Sequence, residues 1–185
     1  MTKISYRAED NIRAFADTQP IIGERVMIDP SAVVLGEVEL GNDVSIWPQV
    51  SVRADMHSIR IGERSNIQDN AVLHVTHASS YNPDGWPVTI GTDVVVGHSA
   101  VLHGCTIGNR VLVGMGAIVM DGAVVEDDVM IAAGALVTPG KHLQSGYLYA
   151  GSPAKQLRPL SESEQKFLHY SPSNYVRLKD KYLSE

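Results

Sequence analysis

From Ile22 onward an aliphatic residue returns every six positions with only three slips. The anchors are Ile22, Ile28, Val34, Leu40, Ile46 and Val52; then Ile61, Ile67 and Leu73; then Ile90, Val96 and Leu102; and finally Ile107, Val113, Val119, Val125, Ile131 and Val137. Glycine often follows directly, and a small or β-branched residue such as Ala32, Val44, Ala71, Ala100, Ala117 or Ala135 stands two positions before an anchor. Strand side chains alternate between faces, so the anchor and the small residue point inward and their neighbours outward. Three hexads make a triangular coil, and eighteen anchors predict about six coils stacked at roughly 4.8 Å. This is the hexapeptide β-helix signature. A β-sandwich would instead show strand repeats of about 8 to 12 residues and no fixed phase.

The interruptions divide the chain. Three extra residues lie between Val52 and Ile61, and eleven between Leu73 and Ile90, where Asn82-Pro83 and Asp84-Gly85 mark turns. Long excursions from one side of a solenoid often carry function. Beyond Val137 the rhythm fades into a Gly- and Pro-rich exit. The expected organisation is an N-terminal arm over 1–21, a β-helix over 22–142, and an exit segment with helices over 143–185. Ser161 and Glu164 form a capping box that starts a helix to about His169. A second helix is expected after Pro172, from about Ser173 to Leu183, with Tyr175, Leu178 and Tyr182 on its packing face.

Composition narrows the function classes. A net charge of −6 over 185 residues disfavours nucleic acid or an anionic membrane surface as partner. The first twenty residues hold charges throughout and no apolar run, so they predict neither signal peptide nor anchor. One cysteine, Cys105, excludes an intrachain disulfide and fits a reducing, cytoplasmic setting.

Two of the seven histidines share a phase. His74 and His103 each follow the third anchor of a coil and are 29 positions apart, one 18-residue coil plus the eleven-residue insertion. They therefore project from the same face on adjacent coils, close enough to share a metal. His98 lies two residues after a second anchor, at a corner, with roughly five residues at ~3.3 Å each between it and His103. Within one chain it cannot join the pair. Identical prisms around a threefold axis would bring the corner of one chain to the face of the next, which predicts a homotrimer with shared sites. Three histidines with an open fourth position are a catalytic zinc arrangement. His57, His77, His142 and His169 have no such phase relation and read as ordinary surface histidines, with His77 a partial exception because it opens the insertion beside His74.

These residues resemble the γ-class carbonic anhydrases, and most nearly their bacterial cytosolic subgroup. The likeness runs from about Pro20 to Arg158 through SIWPQVSVRADM, SNIQDNAVLHVTH, VVGHSAVLHGC, IGNRVLVGMGA and AGSPAKQLRP. It implies a left-handed parallel β-helix trimer, with the hand taken from the family alone. It further implies zinc, or alternatively iron(II) or cobalt(II), held by His74 and His103 of one chain and His98 of its neighbour. A zinc-bound hydroxide would interconvert CO2 and bicarbonate, the chemistry of a lyase. By the same resemblance Gln68 and Asp69 orient and polarise the reacting group, Tyr175 lines the pocket, and Arg53 with Asp55 forms a salt bridge at the trimer contact. Glutamates that carry protons in other family members are replaced here by Met56 and by Val75-Thr76-His77, leaving His77 as the substitute proton shuttle. Competing functions are a metal-dependent acyl-CoA thioesterase, a hexapeptide acyltransferase with a histidine base, and a catalytically weak metal-binding scaffold.

Overall fold

The structure is a computed structural model that describes residues 11–185. The hexad anchors pair in parallel register on three faces. The first face stacks Ile22, Leu40, Ile61, Ile90, Ile107, Val125 and Leu143. The second stacks Ile28, Ile46, Ile67, Val96, Val113, Ile131 and Tyr149. The third stacks Ile12, Val34, Val52, Leu73, Leu102, Val119 and Val137. Seven rungs thus replace the six coils expected. The solenoid gains at both ends: Ile12–Arg13, within the expected arm, adds a strand beside Val34–Leu35, and the parallel ladder continues through Leu143 and Tyr149 beyond the expected boundary. Tyr149 escaped the hexad reading because an aromatic replaces the aliphatic anchor, yet its ring is buried and its hydroxyl accepts from the Gln144 amide at 2.7 Å. Residues 1–10 of the arm lie outside the described residues.

Inward-facing aliphatic side chains make one continuous core along the stack. The residue three positions after an anchor takes the left-handed conformation at corner after corner. On the first corner these residues are Arg25, Asp43, Arg64, Asp93, Arg110 and Asp128, with φ between 53° and 60°. Each arginine there pairs with the aspartate one rung on: Arg25 with Asp43, Arg64 with Asp93, Arg110 with Asp128.

The three-residue insertion is not a loop. It is absorbed into an eleven-residue strand, Ser51–Ile61, whose pairing with Val33–Leu40 shifts register between Gly36 and Val38. The longer insertion folds back on itself through a bridge between Thr76 and Trp86.

At the far end Lys155–Pro159 runs antiparallel to Tyr147–Ala150 and closes that edge. One helix then follows, α1 (Glu162–Ser184), capped by Ser161 and Glu164 as predicted. The expected break at Pro172 does not occur. The physical reason is span: 23 helical residues rise about 34 Å, and six rung spacings make about 29 Å, so the second face is covered end to end by one unbroken rod. Leu168 packs with Met130 and Leu160 near one end. Tyr175 and Tyr182 meet the Trp47 ring edge-on at 5.7 and 5.4 Å nearer the other.

The three outer surfaces therefore differ. The second lies under α1. The first is largely polar, with Glu39, Arg60, Thr89, Thr106 and His142 outward. The third presents Val72, Val101, Ile118 and Leu136, of which Val72 and Ile118 are 38% and 40% exposed.

Candidate metal centre

The third face places Arg53, His74 and His103 in one column, in register on consecutive rungs. His74 Nδ1 and His103 Nε2 face each other at 3.0 Å, with ring centroids 5.0 Å apart. The outer nitrogen of each ring meets a carboxylate: His74 Nε2 lies 3.2 Å from Asp55 Oδ1, and His103 Nδ1 lies against Asp121 Oδ1. Asp55 also receives Arg53 Nη1, and Asp121 Oδ2 receives the Thr76 hydroxyl at 2.9 Å. The result is a chain Asp55, His74, His103, Asp121 along the solenoid axis.

Protonation follows from the partners. An ionised carboxylate only accepts, so the tautomers these contacts favour have the proton on Nε2 of His74 and on Nδ1 of His103. With both rings neutral in those tautomers, the two facing nitrogens are both acceptors. At 3.0 Å the facing nitrogens share one cation, either a proton in an N–H···N hydrogen bond or a metal. Two nitrogens on one tetrahedral zinc with bonds near 2.0–2.1 Å stand about 3.3 Å apart, close to the separation seen, so the donor set fits a metal. Burial pushes the His74 pKa down, aided by the positive charge of Arg53 and by His103 and opposed by Asp55, which favours the neutral ligand form.

A second group forms elsewhere on the chain. His98 is exposed, and its Nδ1 lies 2.9 Å from Asp69 Oδ2. Gln68 is buried beside it and donates to Asn66 Oδ1 at 3.1 Å. Tyr175 from α1 closes this group: burial raises its hydroxyl pKa, the charge of Asp69 adds to that, and a Gln68 hydrogen bond works against it. Among the described residues no group of three His, Cys, Asp or Glu side chains is placed to hold a metal ion, and the His74–His103 pair stands apart from the His98–Asp69 pair.

Each residue singled out by sequence can now be placed. His74 and His103 come together, and His98 stands apart from them. Asp69 pairs with His98, and Gln68 with Asn66. Arg53 Nη1 donates to Asp55 Oδ2 within the chain, residues two apart on a strand sharing a face. His77 is exposed at the start of the insertion. Of the remaining histidines, His57 reaches the Asp84 carbonyl at 3.2 Å and His142 pairs with Glu126 at 2.8 Å. Asp121 and Thr76 were missed. Asp121 stands two residues after its anchor, with Met120 in the histidine column, so the phase rule that found His103 passed over it. Cys105 is buried and its thiol is pushed up to about 12 by burial, which leaves it inert toward metal.

Comparison with known proteins adds to this geometry. The family described as bacterial transferase hexapeptide (six repeats) matches residues 19–54 and 104–139. Protein YrdA of Escherichia coli is 63% identical over 176 residues, covering 95% of this chain and 96% of its own. A protein of Methanocaldococcus jannaschii named "Probable carbonic anhydrase" is 40% identical over 160 residues, 86% of this chain and 96% of its own. The crystal structure of a hexapeptide transferase family protein from Anaplasma phagocytophilum superposes with TM-score 0.85 at 42% identity, covering 92% of this chain and 97% of that one. No helix among the described residues is long and apolar enough to cross a membrane.

Proposed function

Because this chain belongs to the γ-carbonic-anhydrase-like family of hexapeptide-repeat proteins, we propose that it is a metal-dependent lyase interconverting CO2 and bicarbonate. Its site is built from two copies of the chain in a homotrimer: His74 and His103 from one, His98 from the next, with zinc the first choice of metal and iron(II) or cobalt(II) the alternatives. The observation that carries this reading is the facing of His74 Nδ1 and His103 Nε2 at 3.0 Å, each ring with a carboxylate at its other nitrogen. His98 carries the same carboxylate backing through Asp69. Carboxylate, imidazole and metal in line is the usual way a protein fixes a ligating histidine and raises its basicity.

When bound, the metal supplies a Lewis acid that lets water lose its proton near neutral pH. The chain's own residues do the rest. Asp55 and Asp121 hold the two imidazoles in the ligating tautomer. Gln68 and Tyr175, beside His98, offer polar groups that orient the reacting oxygen. The trimer is supported by the third face, where Val72, Val101, Ile118 and Leu136 lie exposed or part-exposed along the stripe of the histidine pair among the described residues; burying such a stripe against a second copy removes apolar area from water.

Mixing tests the shared site. His98→Ala chains and His74→Ala/His103→Ala chains are each expected to lose metal and CO2 hydration. Unfolded together and reassembled in equal amounts, they should regain roughly a quarter of the wild-type sites, because each site needs one intact half from each kind of chain. No recovery in correctly assembled hybrids would overturn the shared site. The transferase names among the relatives favour one competitor, a metal-free acyltransferase. That reading requires full activity on an acyl-CoA after the metal has been removed.

A further inference from the structure

The segment between His74 and Thr89 is the longest departure from the hexad rhythm, and it is pinned to the rungs that carry the histidine pair. Its limbs bond to each other through the amides of Thr76 and Trp86, each donating to the other's carbonyl at 3.0 and 2.8 Å. Thr76 then donates its hydroxyl to Asp121 Oδ2 at 2.9 Å, while Oδ1 of the same carboxylate holds His103 Nδ1. The Trp86 side chain lies over Gly104 and Gly122, so close that a Cβ on either glycine would stand 2.7 and 3.1 Å from it. On the opposite side of the insertion His57 Nε2 reaches the Asp84 carbonyl.

We propose that Thr76 and Asp121 are positioning residues through which the insertion aims His103, so that seating the insertion and loading the metal are coupled events. The inference rests on His103 being a metal ligand. With a donor on each oxygen, the Asp121 carboxylate has one plane available to it, and that plane fixes the ring of His103. Without the Thr76 hydroxyl the carboxylate can turn about its Cβ–Cγ bond, and the imidazole turns with it. Outer partners of this kind typically contribute 10- to 100-fold in metal affinity. Coupling is reciprocal, so the metal must in turn steady the Thr76–Trp86 bridge.

The test uses the full-length assembled protein with zinc for affinity and cobalt(II) for its visible spectrum. Thr76→Val is expected to weaken zinc binding about tenfold or more, to shift the cobalt band, and to abolish the slowing of amide exchange at Thr76 and Trp86 that metal brings to the wild type. Thr76→Ser should restore all three. Asp121→Asn decides the same question should Thr76→Val fail to assemble. If His103→Ala loses metal while Thr76→Val and Asp121→Asn bind it with wild-type affinity and spectrum, the relay is overturned and the site stands. If His103→Ala binds cobalt as the wild type does, the reading of His103 as a ligand falls first.

Discussion

Gly104 shows how tightly the residues around His103 are fitted. Its φ is +55°, and a Cβ there would fall 2.5 Å from Asp121 Oδ1 as well as against Trp86. Gly104→Ala should therefore destabilise the fold by about 1–3 kcal/mol in urea unfolding, and should lower metal affinity in the same direction as loss of Asp121. Met56 makes a contrasting case: it is exposed beside Asp55 and has no proton to give. Met56→Glu should raise CO2 hydration in dilute buffer and change little in concentrated imidazole, which carries the proton itself. Stopped-flow rates at two buffer concentrations check this. The histidine pair was legible because a spacing of 29 equals one rung wherever the long insertion intervenes. The same spacing separates Asp69 from His98, so that contact too was written in the numbers. Asp121 was not, since its contact depends on where a side chain turns after its anchor rather than on which rung it occupies.

At the level of elements, α1 is tied to the solenoid by one buried charge. Lys179 is fully buried, lies 3.0 Å from Asp43 Oδ1, and also contacts Asp180. Asp43 in turn accepts Arg25. Asp43→Ala leaves the buried lysine with Asp180 as its carboxylate partner and removes the Arg25 pair, and should cost about 2 kcal/mol, read by urea unfolding at neutral pH. The pH dependence has a definite sign. The Arg25 hydrogen bond holds the Asp43 carboxyl below its ordinary value of 3.8, with Lys179 contributing and burial opposing. The stabilisation is thus complete above that value and fades as the pH falls through the lower, folded one. Acid unfolding of the Asp43→Ala variant should lack this component. The helix cap could be read from the sequence, because a capping box is a local motif. The continuity through Pro172 could not, because a local breaker is overruled there by packing along a whole face, with Leu168, Ser171 and Pro172 all buried.

Across the whole molecule each rung touches only the rungs beside it, as in other solenoids. Asp55, His74, His103 and Asp121 belong to the third through sixth rungs of the third face, counting from Ile12. A stack of this kind opens like a zipper from either end, and a metal held by that column acts as a rivet through its middle. Amide exchange should then show three zones along the axis: terminal rungs that fray at the same rate with or without zinc, four central rungs slowed by it, and a sharp step between them. Uniform slowing over all seven rungs would mean that the stack opens as a single block. With the rivet in place, damage or mutation near Ile22 or Tyr149 loosens an end without reaching the chemistry. The solenoid can therefore drift in sequence at its tips while its centre stays intact.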